Sequence, residues 1–490
     1  MKIDEITSLF QSAFLNTSND SSNFIDIRHV SVDSNNILED AAFCALKGAS
    51  TDGHLYCQQA VDNGARLIIS ENKVDVEIPN LVVKDLSKEL NVLIEKLYPL
   101  GREFRGLIGI TGTNGKSTIA TLIKKIYDEL GENCGLIGTI LYSDGIDEEI
   151  ATHTTPPYHS ILRLLNQASQ KHINHCVIEA SSHALSQNRL GNLKLEAAIF
   201  TNLTQDHLDY HETIESYEKD KLKLLDYVSE NGIVIVNLDN NFGKKINQLC
   251  KKNVVSVGRD SNAKYLISEE KLNIEGCDFK LTFSNHSYDV KTQLIGNYNI
   301  DNIAQVIVFF TELGYQIDDV LKIIRKFKGV SGRVERVCID SSSGPQVIVD
   351  YAHTHDAMDN VLKSVAPLKK HDLWVVFGCG GDRDRKKRPL MGAVSEQYGD
   401  RIILTNDNPR TEDPLDIIEE VEKGFTTKSF NIIPDRKQAI EFAISNADDQ
   451  DIVMILGKGH EDYQILGDRT IEFDDRIVAK AALEKRKIGS

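Results

Sequence analysis

The segment Gly109-Ile110-Thr111-Gly112-Thr113-Asn114-Gly115-Lys116-Ser117-Thr118 constrains this 490-residue chain more than any other. An apolar strand, Leu107 to Ile110, runs into it, and a helical apolar pattern from Ser117 to Leu130 leaves it. Glycines allow the tight turn that aims successive N–H groups at phosphate oxygens, and the helix start adds partial positive charge. Lys116 can reach terminal phosphates, and the Ser117 hydroxyl can ligate Mg²⁺. Ile110 occupies the first glycine position of the strict Gly-x4-Gly-Lys-Ser/Thr pattern, but strand, glycines, lysine, serine and helix stand in register. The segment is read as a site for ATP or GTP.

Such a loop needs a parallel sheet around it, and the chain supplies one. Apolar strands follow at HCVIEA, AAIFTNL and GIVIVNL with helical stretches between them. Before the loop, an amphipathic opening helix, FIDIRHVSVDS, AAFCALKG, YCQQAVDNGA and LIIS read as a smaller α/β unit. After RKFKGVSGRVERV a third alternation begins with VIVDYA, DLWVVFG, RIILTND, NIIP and DIVMILG. The expected fold is therefore three α/β domains. Residues 1–100 form a small N-terminal domain, 101–330 a central P-loop ATPase-like parallel-sheet domain, and 331–490 a Rossmann-like C-terminal domain.

Charge and cysteines narrow the class. The 56 Lys and Arg against 73 Asp and Glu leave a formal net charge of −17, which argues against nucleic acid or anionic membrane as partner. No 18-residue apolar run is present, and the opening MKIDEITSLFQSAFL has early acids and no long apolar core, so neither a membrane span nor a signal peptide is expected. Eight cysteines without a CxxC pair fit reduced thiols in the cytoplasm.

Two further strand ends carry chemistry. Glu179 closes HCVIEA, where a Mg²⁺ ligand belongs in an open parallel sheet. FTNLTQDHLDYH offers Asn202, Asp206, His207 and Asp209 at the next one.

With these residues in place, TGTNGKST, EASSHALSQNRLG and FTNLTQDHLDYH resemble the Mur ligase family of ATP-dependent peptide-bond-forming enzymes. So do GNYNIDN, GRVERV, DYAHTHDAM, FGCGGDRDRKKRPLMG, DNPRTEDP and GKGHEDYQI, in consistent order from about residue 30 to residue 476. The resemblance implies that ATP activates a carboxylate as an acyl phosphate, which an incoming amine attacks. It gives ATP to Gly112, Thr113, Asn114, Gly115, Lys116, Ser117 and Thr118, with Asn299 against the adenine and Arg333 and Asp350 closing over the nucleotide from the third domain. It gives Mg²⁺ to Ser117 and Glu179, and a second Mg²⁺ to His207 and a carbamylated Lys221. Lys116, Glu179, His207 and Lys221 are then the catalytic set.

By the same resemblance the first domain takes the UDP end of the substrate, through Val32, Ser34, Ala49, Ser50 and Thr51. Thr154, Thr155, Ser181, Gln187 and Arg189 hold the muramoyl-dipeptide. Two positions depart from the family pattern: Asn35 stands where Arg is common, and His355 where Pro is usual. The third domain takes the amino acid through Arg383, Asp407, Asn408, Pro409, Arg410, Gly457 and Glu461. Members that add meso-diaminopimelate carry the DNPR motif seen at Asp407 to Arg410. A guanidinium matches the extra carboxylate of that amino acid, which lysine lacks. The substrates implied are UDP-N-acetylmuramoyl-L-alanyl-D-glutamate and meso-diaminopimelate, and a monomer is expected. Folylpolyglutamate synthetase is the rival within the superfamily, and a nucleotide-dependent binding protein the rival outside it. DNPR, GGDRDRKKRP and HTTPP argue against the first; the four catalytic candidates argue against the second.

Overall fold

The structure, a computed structural model, describes residues 1–10, 14–16, 25–48, 51–101, 104, 106–339, 344–427 and 429–489, without side chains at 14–16, 208, 209, 488 and 489. Ala49 and Ser50 of the UDP-side expectation lie outside the described residues, as does the side chain of Asp209.

Strand alternation builds the central layer. In the strands Gly106–Thr111, His175–Glu179, Leu195–Phe200 and Val228–Asn237, alternate side chains enter two different cores. Leu107, Ile178, Ala198, Phe200, Val234 and Val236 face one core, shared with helix Tyr158–Gln170. Ile108, Ile110, Val177, Ala197, Ile199 and Ile235 face the other, under helices Lys116–Glu129 and Asn297–Glu312. Both faces are covered, which is why these strands read as unbroken apolar runs. Together with Cys134–Ile137 they pair in parallel, with Gly106–Thr111 between His175–Glu179 and Leu195–Phe200. All the chemistry-bearing loops at their carboxyl ends therefore open on one edge of the sheet.

The sequence pattern missed the margins of this sheet, which has eleven strands. Leu141–Ser143 and Glu148–Ile150 add an antiparallel turn-back at one edge. Tyr265–Asn273, Gly276–Phe283 and His286–Thr292 add an antiparallel meander at the other. These strands are half solvated and polar, so they lack the apolar run that marked the rest.

A five-stranded sheet ending at Asn80–Val82 precedes the central one, and its core, including Ile27, Ala42 and Leu67, is continuous with one face of the central sheet. A six-stranded sheet of Glu335–Val337, Gln346–Asp350, Ile452–Leu456, Leu373–Phe377, Arg401–Leu404 and Asn431–Ile432 follows, with two cores of its own. Its strands are parallel except Glu335–Val337. The architecture is three α/β domains built on parallel sheets. Among the described residues no helix is long and apolar enough to cross a membrane, and the described cysteines form no disulfide.

Candidate active site

The phosphate loop is held from behind by the next strand end. Thr113 N–H donates to the Asn202 carbonyl at 3.0 Å, Asn114 N–H to Asn202 Oδ1 at 3.0 Å, and Thr201 Oγ1 to the Asn114 carbonyl at 2.6 Å. Those two amides are used inside the protein, so the groups left for a ligand are the first-turn amides of residues 115–118. Asn202 thus shapes the loop rather than the ligand. Two glycines are obligatory. Gly115 caps the helix at φ +92°, and an added Cβ would lie 2.4 Å from Asn302 Oδ1; at Gly112 it would lie 1.8 Å from Thr201 Oγ1.

Lys116 folds back over this loop, donating to the carbonyls of Gly112 at 2.8 Å and Thr113 at 2.9 Å. Burial lowers its pKa, against the pull of Glu179 and Asp206, and the Arg333 charge from the third domain lowers it further. Lys221, 1% exposed, donates to the same Gly112 carbonyl at 2.9 Å and stacks 4.5 Å from the Tyr217 ring centre. Burial first, then the Lys116 charge, push its pKa well below the ordinary range, with Asp206 acting in the opposite sense.

Glu179 accepts from two neighbouring residues. Ser117 Oγ donates to its Oε2 at 2.9 Å, and Thr139 contributes its N–H to Oε1 and its hydroxyl to Oε2, each at 3.0 Å. From there a chain of hydrogen bonds runs outward. Thr154 Oγ1 lies 3.1 Å from Thr139 Oγ1, whose one proton is on Glu179; Thr155 Oγ1 donates to the Glu179 carbonyl at 2.5 Å, and Arg189 to the Thr155 carbonyl at 2.7 Å and to Gln187 Oε1. Ser181 N–H donates to Thr155 Oγ1 at 3.0 Å. The structure therefore brings Ser117, Glu179, Thr154, Thr155, Ser181, Gln187 and Arg189 into one network. Thr139, unmentioned in the sequence reading, lies at its centre; a lone Thr after the strand Cys134–Ile137 carried no signal.

His207 is half exposed beside Asp206, at 3.4 Å, and its backbone is left-handed at φ +52°. A non-glycine residue in that region is held there by its surroundings. Its ring stands 4.9 Å from that of His183 and 6.3 Å from that of Tyr217, so it neighbours the helix that carries Lys221.

In the first domain Ser34 is buried, its hydroxyl donating to Gln59 Oε1 at 3.0 Å and its carbonyl accepting from Asn63 at 2.7 Å. Asn35 is bonded to Asp33 and Gln59 and supplies no positive charge. Val32 is half-buried and Thr51 exposed, its carbonyl accepting from Gly48 N–H at 2.8 Å. Burial and then the Arg189 charge lower the His153 pKa, and Asp33 acts in the opposite sense.

From the third domain, the Arg333 guanidinium lies 4.7 Å over the Tyr351 ring. Asp350 is buried, which raises its pKa, while it accepts from Val334 N–H at 2.8 Å and Ala352 N–H at 2.7 Å. Val334 pays for that contact with φ +45°, an outlier for a β-branched residue. Asn299 is turned inward, donating to the Ile295 carbonyl and accepting from Asn302, with one hydrogen and one lone pair to spare. His355 opens helix His355–Val365 behind the Thr354 cap, a first-turn position where Pro and other residues are equally tolerated.

The DNPR turn is fixed from beneath. Asn408 accepts from Ile465 N–H at 2.9 Å and donates to Glu461 Oε2 at 3.1 Å. Lys458, wholly buried, donates to the same Glu461 oxygen at 2.9 Å and to Asn408 Oδ1 at 3.3 Å. Asp407 is buried with Oδ2 lacking a partner among the described residues, directly over Gly457, whose added Cβ would lie 2.7 Å away. Pro409 is buried, while Arg410 is partly exposed at φ +53° with one guanidinium nitrogen on the Gly381 carbonyl at 2.7 Å. Arg383 is exposed on the adjoining loop. Gly457 N–H donates to the Asp350 carbonyl at 3.1 Å, which joins this pocket to the Arg333 segment. Lys458 is the residue missed here; within GKGHE it resembled a loop lysine.

Comparison with known proteins places the chain in a family. Residues 110–310 match the Mur ligase middle domain. Residues 332–459 match the Mur ligase glutamate ligase domain, and 26–101 the Mur ligase family catalytic domain. The chain is 37% identical over 491 aligned positions to UDP-N-acetylmuramoyl-L-alanyl-D-glutamate–2,6-diaminopimelate ligase of Clostridium tetani, covering 99% of this chain and 100% of that one. It is 38% identical to the enzyme of that name from Halalkalibacterium halodurans, covering 94% and 95%. A solved structure of such a ligase superposes with a TM-score of 0.64 at 29% identity over 99% of each chain.

Proposed function

Because this chain belongs to the Mur ligase family, and is a ligase, we propose that it joins meso-diaminopimelate to UDP-N-acetylmuramoyl-L-alanyl-D-glutamate at the expense of ATP, in peptidoglycan synthesis. The terminal phosphoryl of ATP passes to the D-glutamate carboxylate, giving an acyl phosphate and ADP. The amine of the amino acid then attacks the acyl carbon, forming the amide and releasing phosphate. The observation that carries the reading is the single network from Ser117 through Glu179 to Thr154, Thr155 and Arg189, which sets a phosphate loop beside an anion-binding rim.

Loop 112–118 receives the phosphates, on the free first-turn amides of residues 115–118, and Lys116 swings from its two carbonyls to the transferring group as negative charge builds there. Glu179 and the Ser117 hydroxyl, 2.9 Å apart, are hard oxygen donors of the kind Mg²⁺ takes. Bound there, Mg²⁺ neutralises phosphate charge. His207 and Lys221 as a carbamate are the ligands for a second ion. Lys221 suits carbamylation, since burial and Lys116 favour its neutral, nucleophilic amine, and an anion there relieves the crowding of two cations. Asn299 meets the adenine, and Arg333 and Asp350 close over the nucleotide. Val32, Ser34, Ala49, Ser50 and Thr51 take the UDP end.

Within the amino-acid pocket, Arg410 and Arg383 face the carboxylates of diaminopimelate, and Asp407, with its unpartnered buried oxygen, and Glu461 face its ammonium groups. The test is ADP release by the purified protein. It should require both the UDP-muramoyl dipeptide and diaminopimelate; release that is independent of either one refutes the reading.

A further inference from the structure

Three side chains, one following strand His175–Glu179 and two following strand Leu195–Phe200, meet in one buried line outside the groups assigned above. The His211 side chain is 1% exposed. Its Nδ1 lies 3.0 Å from Asp220 Oδ2 and its Nε2 lies 2.9 Å from Ser182 Oγ. A carboxylate only accepts, so Nδ1 carries a hydrogen and donates to Asp220, while Nε2 and the serine hydroxyl share the second hydrogen bond. The other Asp220 oxygen accepts from Lys223 Nζ at 2.7 Å. The order is that of a nucleophilic triad, but Ser182 is 2% exposed and sealed at the start of a helix, where no substrate reaches it.

The positions of the three are informative. Ser182 follows Glu179 by three residues, and Asp220 immediately precedes Lys221. His211 follows His207 by four, its N–H donating to the His207 carbonyl at 3.0 Å. Helix Ile214–Leu222 buries Tyr217, Asp220 and Lys221, with no aliphatic side chain among them. Apolar packing holds it through Tyr217 and, in part, Leu222, and one residue of slippage would turn the helix by about 100° and carry Lys221 away from Gly112.

We propose that Ser182, His211 and Asp220 form a positioning relay that locks the segments bearing Glu179, His207 and Lys221 into one metal-binding unit. The inference rests on the reading of those three residues as ligands. The groups around the imidazole are His183, Tyr210 and Tyr217, with ring centres at 5.5, 4.8 and 5.1 Å, and none replaces either hydrogen bond.

The test uses the full chain and two readouts other than activity: Mn²⁺ affinity in the presence of ADP by electron paramagnetic resonance, and the carbamate signal by ¹³C NMR after equilibration with ¹³C-bicarbonate. His211→Ala should weaken Mn²⁺ binding roughly 10- to 100-fold, as loss of groups that orient ligands does, and should diminish the carbamate signal. His211→Asn, whose amide can still donate to Asp220, should recover part of both. A folded His211→Ala with unchanged Mn²⁺ affinity and carbamate signal overturns the relay. If that variant does not fold, Ser182→Ala decides, by a smaller shift in the same direction or by none. A wild-type protein with no carbamate signal refutes the Lys221 reading instead, and the Mn²⁺ shift alone then judges the relay.

Discussion

Lys116 and Lys221 place their side-chain nitrogens on one acceptor, the Gly112 carbonyl, at 2.8 and 2.9 Å. Two cations on one carbonyl repel, and the buried one yields its proton more readily. This relationship supports the proposed carbamylation of Lys221. Lys221→Ala should lose turnover by at least about 100-fold while retaining the fold, and formate or acetate, filling the vacated anion position, should restore part of it. A wild-type rate of ADP release in Lys221→Ala would contradict the assignment.

Gly115 offers a sharper test of the loop itself. Gly115→Ala places a methyl against Asn302 in a left-handed conformation, a backbone cost of about 1–2 kcal/mol before any clash. ATP affinity should fall by at least about tenfold, read by calorimetry, with little change in affinity for the UDP-substrate. Equal loss at both sites would indicate general unfolding and not a phosphate-loop defect.

On the proposed reading Arg410 selects the amino acid. Hydrogen bonds to charged groups contribute about 1.5–3 kcal/mol, so Arg410→Ala should lower kcat/KM for diaminopimelate roughly 10- to 150-fold. Arg410→Lys should recover only part, because an ammonium cannot present a fork. Lysine should be a poor substrate of the wild type and no worse with Arg410→Ala. Comparable use of lysine and diaminopimelate by the wild type would refute the specificity while leaving the ligase reading in place.

Stability should depend on pH through His159. Burial, and then the Arg163 charge, hold its pKa down to about 4, whereas an unfolded imidazole titrates near 6.5. The unfolded chain therefore binds the proton first. The stabilisation is complete above about pH 6.5 and is lost as the pH falls towards about 4. Urea unfolding of His159→Gln should show a smaller drop between pH 7 and pH 5 than the wild type; identical drops would remove His159 as the cause.

Much of the molecule was legible because its chemistry sits at the ends of fully buried parallel strands. Leu107 to Ile110, HCVIEA and AAIFTNL are apolar on both faces, and a polar residue such as Glu179 at their ends stands out. The antiparallel margins were not legible, since Glu148–Ile150 is exposed throughout and Tyr265–Asn273 alternates with solvent. Candidate residues could be singled out one by one from their motifs, but the groups that the structure bonds to them could not. Thr139, Lys458 and His211 act through contacts with Glu179, Asn408 and Asp220, partners 40, 50 and 9 residues away. No local spacing announces such pairs.

The account stands or falls on the product. Purified protein incubated with ATP, Mg²⁺, UDP-N-acetylmuramoyl-L-alanyl-D-glutamate and meso-diaminopimelate should yield, by mass analysis, the UDP-muramoyl-tripeptide with equal amounts of ADP and phosphate. ATP consumption without a joined product, or a joined product that forms only with a different amine, would contradict it.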